Sequence, residues 1–542
     1  MAKREKNSDR RGILLVLGVV LLSAVLGGIY GPSVKARAAS ADDFQTSVRN
    51  FTRVLAVVQA NYAEPLDTDQ VLYQGAIPGM LRVLDPHSNF FDPRQFALLR
   101  EDQHGKYYGV GMTVGPRDNR TAVLAPYLGS PAYNAGIRPG DVILKVDDKP
   151  TDGLTTGDVA DLLKGPKGTI VRITVGREGY PQPLTFTVTR DEIPRHSVDI
   201  VTLLKPGIGY IRLSSFNETT DHELAEALNQ LNVANLDGLI FDMRGNPGGL
   251  LNEAVSVADM FLEKNQLIVS HHGRASQDRP YYAIRGNLGV TVPLVVLINS
   301  SSASATEIVA GAVQDHDRGL IVGETSFGKG LVQTVSALRE GTGLALTTAR
   351  YYTPSGRLIQ RDYKSVSLYD YHYNRKGPEH PTEIKLTDSG RQVTGGGGIT
   401  PDIAVPLPKL TRFQETLLRD DVFFPFEASV GGFTRFFMGT KPDITKEFVV
   451  DPAVLLQFRG YLTKHNVRFT EQDLAENLDW IKRKIKQEVF LYASGLPESF
   501  KVTLDADPQV LKAAESVPQA RALYENARRI VAQRAGASPT QP

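Results

Sequence analysis

The sequence predicts an α/β protein in which a strand-rich module and a larger alternating core lie between helical segments. From residue 207 onward, continuous apolar strands such as "PLVVLINS" alternate with helical stretches, which indicates a sheet buried on both faces. Residues 107–190 instead show short β-rich runs between turn residues. Apolar residues at helical spacing occupy both ends of the chain.

The export segment is the first element. "MAKREKNSDRR" is a basic leader, and residues 12–30 are 19 residues without a charge, close to the ~20 that a helix needs to cross a bilayer. Ala36-Arg37-Ala38 resembles a signal-peptidase site. We predict that residues 1–40 are a signal peptide or a membrane anchor. The body then lies on the periplasmic side of a bacterial cell envelope, either anchored to the inner membrane or soluble.

Changes of pattern along the chain predict the remaining boundaries. Residues 41–104 are a helical segment that "LDPHSNFFDP" interrupts with two prolines. Residues 105–192 form the strand-rich module, with two helical pieces. Residues 193–408 form the α/β core, which ends near "GGGGITPDI", and residues 409–542 form a mostly helical region.

Two apolar features mark the helical C-terminal region. Thr470-x-x-Asp473 is a helix N-cap signal. Behind it, one apolar stripe at helical spacing contains Leu474, Leu478, Ile481, Ile485 and Val489. A phenylalanine-rich group, for which we expect core packing or else a partner surface, contains Phe423, Phe424, Phe426, Phe433, Phe436 and Phe437.

Composition narrows the classes of function. The 542 residues include 61 basic and 60 acidic ones, so the net charge is +1 and no chain-wide attraction to nucleic acid is expected. The absence of cysteine excludes disulfides, zinc–thiolate sites and cysteine nucleophiles. We predict no nucleic-acid partner, no metal and no other cofactor.

One stretch of the core, "SSASATEIVAGAVQDHDRGLIVGETSFGKG" (residues 301–330), has three interpretations. As a phosphate loop, Gly323 to Lys329 satisfies G-x-x-x-x-G-K. However, Gly330 stands where a magnesium-binding hydroxyl is needed, and Glu324 would place a carboxylate in an anion site. The following "GLVQTVSALRE" alternates like a strand, where a phosphate loop needs a helix.

The second interpretation is an ordinary helix start. Ser304-x-x-Glu307 is a capping box, in which the serine oxygen accepts a backbone hydrogen bond and the glutamate reaches back. A helix over residues 305–314 would follow. Most serines in such positions have no further role.

The third interpretation is a nucleophile with a lysine base. Ser304, at a helix N-terminus, could attack a carbonyl if Lys329 were neutral. An ordinary lysine has a pKa of ~10.4, and burial can lower that pKa by ~3–5 units. Phe327 and the neighbouring glycines would permit dry packing, and Gln333 could orient the amine. A solvated surface lysine is the alternative for Lys329.

A second stretch, "LIFDMRGNPGGLL", ends a buried strand in a glycine-rich turn. Paired glycines allow backbone N–H groups to point at a ligand, although a simple strand-to-helix turn would use the same residues.

Together with "YIRLSSF" and "TDSGRQVTGGGGITPDI", these stretches closely resemble the carboxyl-terminal processing peptidases, also called tail-specific proteases. The resemblance covers about residues 44–406 and implies a crotonase-like (ClpP/crotonase) peptidase core. It implies that Ser304 is the nucleophile, Lys329 the base and Gln333 its support. Asp315 matches an aspartate found near the site in some members, in a supporting role at most. The expected oxyanion-hole N–H groups are those of Ala305, Gly248 and Gly249.

The module at residues 107–190 resembles a PDZ domain, and "AGIRPGDVILKVD" is a typical PDZ core run. Its carboxylate-binding loop corresponds to Gly109, Val110, Gly111 and Met112. A peptide would add as a strand beside a helix near residues 155–163.

The predicted function is therefore that of a serine endopeptidase. It would recognise the C-terminal tails of proteins through the PDZ domain and hydrolyse peptide bonds through an acyl-enzyme, in envelope protein processing or turnover. The alternative is an inactive PDZ scaffold or chaperone, and a third possibility is an NTPase. The resemblance also implies homo-oligomers paired through terminal helices, a gating role for the PDZ domain and a possible envelope adaptor protein.

Overall fold

The computed structural model describes residues 41–117, 119–177, 179–287, 290–367, 369–374, 383–419, 432–440, 444–445 and 447–536. They divide into two compact units. The first unit comprises residues up to 93, 271–279 and 331–350, and the second comprises 94–270, 280–330 and 351 onward. The predicted export segment lies outside these described ranges. Within them, no helix is both long and apolar enough to cross a bilayer.

The first unit combines N-terminal helices with antiparallel strands. Strands Asn89–Phe91 and Leu331–Ala337 each pair with strand Gly343–Tyr352, whose residues up to 350 belong to this unit. The "LDPHSNFFDP" break is therefore partly a strand. The helical segments are Ala41–Asn61, Thr68–Gln70, the π-helical Val71–Ala76, Ile77–Arg82 and the 3-10 turn Arg339–Gly341. Strands Leu267–His272 and Arg279–Tyr282 lie partly in each unit.

In the second unit, the strand-rich module forms an antiparallel sheet around its own apolar core. In spatial order its strands are Met112–Arg117, Arg120–Pro126, Val142–Val146, Ile170–Gly176 and Leu184–Thr189. Lys149–Pro150 pairs with Val142–Val146, and Lys106–Gly109 pairs with Asp191–Pro194. The helices are Pro131–Asn134 and Thr156–Leu163. Helix Pro93–His104 precedes the module, with all but Pro93 in this unit.

A six-stranded sheet, here called the central sheet, forms the α/β core. Its strands in spatial order are Val198–Lys205, Ile208–Leu213, Gly238–Asp242, Leu294–Ile298, Gly319–Gly323 and Ile403–Ala404. The first pair is antiparallel and the others are parallel. Every residue of the three middle strands is buried, as their continuous apolar runs predict. The accompanying helices are Thr220–Gln230, the 3-10 turn Val233–Asn235, Leu251–Asp259 and Ala305–Asp315.

After the central sheet come a π-helical turn (Asp370–Asn374) and a hairpin (Glu383–Leu386 with Gln392–Gly395). The C-terminal region is helical, as predicted. Its helices are Arg412–Arg419, Phe433–Thr440, Pro452–Lys464, Glu471–Glu476, Leu478–Ser494, Leu496–Leu504, Pro508–Glu515 and Val517–Gly536.

The C-terminal helices pack in two separate clusters. The earlier ones surround their own core, which includes Phe433, Phe437 and Phe458. The last two pack on the central sheet, where Val510 and Val517 join its buried residues. Helices Pro508–Glu515 and Val517–Gly536 are therefore part of the α/β core.

Two details of this region differ from the sequence prediction. The Thr470–Asp473 capping box is present, but Asn477 separates the helix that it starts from the next one. Leu478 is consequently 37% exposed, whereas Ile481 and its successors on the stripe are buried. Of the phenylalanine-rich group, Phe433 and Phe437 are core residues, Phe436 is exposed, and Phe423, Phe424 and Phe426 lie outside the described residues.

The last helix also covers a buried arginine. The guanidinium of Arg318 donates to the backbone carbonyls of Phe261 (2.8 Å), Val290 (2.7 Å) and Val292 (3.0 Å). The ring of Tyr524, on helix Val517–Gly536, lies over this guanidinium at 4.5 Å. Burial lowers the pKa of Arg318 to about 10, which shows that its backbone acceptors and the aromatic face offset only part of the lost hydration.

Candidate active site

Ser304 lies between the central sheet and helix Ala305–Asp315, which we call the serine helix. Its φ is +56° and its ψ is −114°, a conformation that residues with a side chain rarely adopt. Such strain persists only where the surroundings fix the backbone, and it is frequent at active sites. Ser304 is partly exposed, whereas Ala303 and Ala305 beside it are buried.

The buried carboxylate of Glu307 joins the backbones of the two predicted catalytic residues. It accepts hydrogen bonds from the N–H groups of Ser304 (2.7 Å), Gly328 (2.7 Å) and Lys329 (2.9 Å), and from the hydroxyl of Ser326 (2.5 Å). Burial raises the pKa of Glu307, while these hydrogen bonds act in the opposite direction. The hydrogen bond from the N–H of Ser304 to Glu307 is the glutamate half of the predicted capping box. The contacts with Ser326, Gly328 and Lys329 join the helix to a loop that lies 19 to 22 residues further along the chain.

Tyr351 makes a second connection between the same two residues. Its hydroxyl lies 2.5 Å from the carbonyl oxygen of Lys329 and 3.1 Å from that of Ser304. Burial raises the pKa of Tyr351 well above its usual value, so the hydroxyl keeps its proton and can donate it. No sequence pattern indicated a role for this residue, which is one tyrosine in a β-rich run. Both peptide groups of the predicted dyad are thus held from two sides.

Lys329 ends a tight loop. The N–H of Phe327 donates to the carbonyl of Ser302 (2.8 Å), and Gly328 has φ +87°, where an added Cβ would lie 2.9 Å from the Arg361 side chain. Lys329 itself is only partly buried, whereas the sequence interpretation required a side chain that is shielded from water. The predicted strand Leu331–Ala337 follows directly, so the helix that a phosphate loop requires is not formed here.

Gln333 belongs to the first unit, whereas Ser304 and Lys329 belong to the second. Its side-chain amide donates to the carbonyl of His87. The N–H of His87 donates in turn to the carboxylate of Asp85 (2.8 Å). Burial alone would raise the pKa of Asp85, but hydrogen bonds from Ser88 and His87 bring that pKa below its usual value. The role of Gln333 in orienting the amine stays a prediction.

Asp315 lies at the other end of the serine helix, about 16 Å from Ser304 at 1.5 Å per residue. Its carboxylate binds the guanidinium of Arg357 (2.6 Å) and the N–H of Ser355 (2.9 Å). Both charged groups are buried. The structure therefore places Asp315 in a buried ion pair that anchors the helix end, and its supporting role stays a prediction.

His316 follows, between two acceptors. Its Nδ1 lies 2.7 Å from Asp388 Oδ2, and its Nε2 lies 2.7 Å from the carbonyl oxygen of Leu267. The ring can donate to both only when both nitrogens carry protons. Burial lowers the pKa of His316, but the hydrogen bonds to Asp388 and Leu267 outweigh it and raise the pKa above its ordinary value.

The glycine turn (residues 245–249) lies directly against Ser304. A Cβ added to Gly248 would lie 2.7 Å from the carbonyl oxygen of Ala303 and 2.9 Å from the nitrogen of Ala305. The N–H of Gly248 donates to Asn246 Oδ1 (2.9 Å), so it is already engaged. In the described part of the chain, the N–H groups of Gly249 and Ala305 have no such acceptor. Of the three predicted oxyanion donors, the geometry favours Ala305 and Gly249 over Gly248.

The predicted carboxylate-binding loop connects two strands of the strand-rich module. It consists of Gly109, Val110, Gly111 and Met112. Among the described residues, the N–H groups of Val110 and Gly111 find no acceptor. Gly111 has φ +75°, and its carbonyl accepts from the hydroxyl of Ser130 (2.7 Å). The adjoining strand Met112–Arg117 is an edge strand beside helix Thr156–Leu163, which leaves a backbone edge for peptide addition.

No group of three or more His, Asp or Glu side chains in the described ranges is arranged to hold a metal ion.

Comparison with known proteins agrees with this arrangement. The family model for peptidase family S41 matches residues 207–367, and the model for a PDZ domain matches residues 123–177. A carboxy-terminal-processing protease of Bartonella bacilliformis is 39% identical over 359 residues, which cover 65% of this chain and 80% of that protein. The carboxy-terminal processing protease CtpA of Bacillus subtilis is 31% identical over 70% of this chain and 84% of its own length. The solved photosystem II D1 C-terminal processing protease is 33% identical, with 66% of this chain and 88% of that chain covered at a TM-score of 0.35.

These matches define a serine-type peptidase that carries a PDZ domain. The chain belongs to the carboxy-terminal processing proteases of family S41 and processes the C-terminal tails of proteins. The α/β core with its PDZ domain and helical C-terminal region agrees with the predicted fold class. The inactive scaffold is not favoured.

Proposed function

We propose that Ser304 is the nucleophile and Lys329 the general base of this peptidase. The observation that carries the proposal is the pair of connections made by Glu307 and Tyr351, which bind the N–H and carbonyl groups of both residues. A fold that fixes two peptide groups from both sides limits how far their side chains can separate. Effective catalysis depends on such positioning.

The proposed reaction proceeds through an acyl-enzyme. The neutral amine of Lys329 takes the proton from the hydroxyl of Ser304 as its Oγ attacks the scissile carbonyl. The N–H groups of Ala305 and Gly249 stabilise the negative charge on the carbonyl oxygen. The amine half of the substrate leaves with the proton from Lys329, and water, deprotonated by the same amine, then hydrolyses the ester.

The PDZ domain supplies the preference for tails. Free N–H groups at Val110 and Gly111 suit a terminal carboxylate, and the edge strand Met112–Arg117 suits the extended residues before it. Substrates are proteins or peptides with an accessible C-terminus. Binding the tail raises the local concentration of the same chain at the peptidase site.

The test compares wild type with Ser304→Ala and Lys329→Ala on β-casein, an unstructured protein with a free C-terminus. We expect fragments only from wild type, and an active-serine probe such as a fluorophosphonate should label wild type but not Ser304→Ala. Cleavage by folded Ser304→Ala would reject the assigned nucleophile. Tail binding without cleavage by wild type would favour the scaffold alternative.

We further propose that the enzyme acts on the periplasmic side of the bacterial cell envelope, as the basic leader and residues 12–30 suggest. N-terminal sequencing of the protein from membrane and periplasmic fractions would distinguish a cleaved signal peptide from a retained anchor. Recovery in the cytoplasm alone would contradict export.

Assembly is also part of the proposal. Helix Ala41–Asn61 exposes apolar side chains, including Phe44 (61%), Phe51 (52%) and Val54 (63%), and a second copy could cover them. Light scattering of wild type and Phe51→Asp would test this homo-oligomer. An envelope adaptor is a further proposed partner, and copurification with Ser304→Ala would identify it.

A further inference from the structure

The arginine that precedes the glycine turn has partners in the C-terminal region. Arg244 follows strand Gly238–Asp242, and its side chain is only 8% exposed. Its Nε and Nη2 bind the carboxylate of Asp242 at 2.6–3.0 Å. Its remaining nitrogen, Nη1, donates to Asp507 Oδ2 (2.8 Å) and Gln509 Oε1 (2.8 Å), more than 260 residues away in the sequence.

These partners are themselves fixed in place. The other oxygen of Asp507 accepts from the N–H groups of Gln509 (2.9 Å) and Val510 (3.2 Å), which caps helix Pro508–Glu515. Gln509 is fully buried, and its amide donates to the carbonyl of Val405 (2.7 Å). Since this helix packs on the central sheet, the Arg244 contact is made by a rigid element.

A short path leads from Arg244 to the nucleophile. The N–H of Gly245, the next residue, donates to Asn299 Oδ1 (2.9 Å). The carbonyl of Asn246 accepts from the N–H of Ala303 (3.0 Å). Gly248 then leaves no room for a Cβ beside Ser304. A shift of the arginine would therefore move the turn that borders the catalytic serine.

We propose that Asp507 and Gln509 are positioning residues for hydrolysis, which act through Arg244 on the glycine turn. The proposal rests on the function assigned to Ser304 above. It gives the C-terminal region a definite part in the peptidase site. Loss of the Asp507 contact leaves a buried guanidinium with one carboxylate instead of two, and a turn less tightly held.

The experiment uses the full-length protein with Asp507→Ser. Serine is also a good N-cap, so the helix start is retained while the contact with Arg244 is lost. Asp505→Ser is the matched control. Asp505 is exposed and lies two positions earlier, and its substitution by serine removes the same negative charge. Gln509→Leu removes the second contact.

We expect kcat on a fluorogenic peptide with a free C-terminus to fall by about 10- to 100-fold in Asp507→Ser, with KM within about twofold of wild type. Amide hydrogen exchange of residues 243–250 should become faster, while that of the PDZ strands stays unchanged. Asp505→Ser should match wild type in both measurements.

Wild-type kcat in folded Asp507→Ser, or an equal fall in Asp505→Ser, would overturn the proposal. Unchanged exchange of residues 243–250 would do the same, and that result does not depend on catalysis. If wild type itself were inactive and its serine unlabelled, the assigned function would fail. The exchange data would still decide the link between Asp507 and the turn.

Discussion

At the scale of single residues, the hydrogen bonds of the Tyr351 hydroxyl are the contacts best suited to a test by substitution. We expect Tyr351→Phe to lower kcat about tenfold with little change in KM, because it releases the carbonyls of Lys329 and Ser304 but leaves the ring packing intact. Peptide hydrolysis at saturating substrate measures this effect. Tyr282→Phe, at an exposed position in the same unit, is the matched control. Equal kcat for Tyr351→Phe and wild type would exclude a positioning role.

The sequence predicted some of these residues better than others. Ser304 and Lys329 lie in small-residue runs with a distinctive order, and Glu307 followed from the capping-box spacing. Tyr351 could not be predicted, because its role depends on a long-range contact. The hydrogen bond from the N–H of Gly248 to Asn246 was not predicted, since it depends on the detailed shape of that turn.

At the scale of elements, the end of the serine helix predicts a pH-dependent stability. The hydrogen bonds of His316 raise its pKa in the folded state, so they stabilise that state fully below the unfolded pKa of about 6.5. This stabilisation is lost as pH rises through the folded-state pKa. We expect Asp388→Asn to lower the free energy of unfolding by about 2 kcal/mol at pH 5.5 and much less at pH 9.

Urea unfolding of both proteins at the two pH values measures this difference. The groups that face the imidazole are Asp388, the carbonyl of Leu267 and, at longer range, Asp315. An equal loss of stability at pH 5.5 and pH 9 would mean that His316 carries no additional proton in the folded protein.

The elements themselves were largely predictable, because their periodicity is local. The three buried strands and the serine helix follow directly from their apolar patterns. The interruption at Asn477 was not predicted, because the apolar spacing continues through it. The ion pair of Asp315 was not predicted for a related reason. Position along a helix separates it from Ser304, and only the structure reveals its partner, Arg357.

At the scale of the whole molecule, the pairing of a tail-binding module with a peptidase predicts a dependence on the substrate terminus. Wild type should hydrolyse a peptide with a free carboxylate about tenfold better, in kcat/KM, than its C-terminal amide. In Gly111→Ala this preference should largely disappear, because the new Cβ would lie 2.4 Å from Cβ of Ser130 at a φ of +75°.

Gly153→Ala is the control for backbone strain. This residue lies in the same module with φ +76°, but a Cβ there meets nothing within 4 Å. If the amide and the free acid were hydrolysed equally by wild type, the loop at residues 109–112 would not be reading the carboxylate.

The overall order of modules could be predicted from shifts in pattern, whereas their dependence on one another could not. A helical C-terminal region can be recognised by its spacing. That Val510 and Val517 complete the core of a sheet whose strands all come earlier in the chain is a fact of tertiary packing.

The stacking of Tyr524 on Arg318 has a consequence for how the chain matures. During synthesis, the sheet is translated long before the last helix leaves the ribosome. Until then the guanidinium of Arg318 lacks the ring of Tyr524, and the apolar side chains beneath helix Val517–Gly536 remain exposed to water. A chain without helix Val517–Gly536 would therefore lack part of the apolar core that stabilises the central sheet.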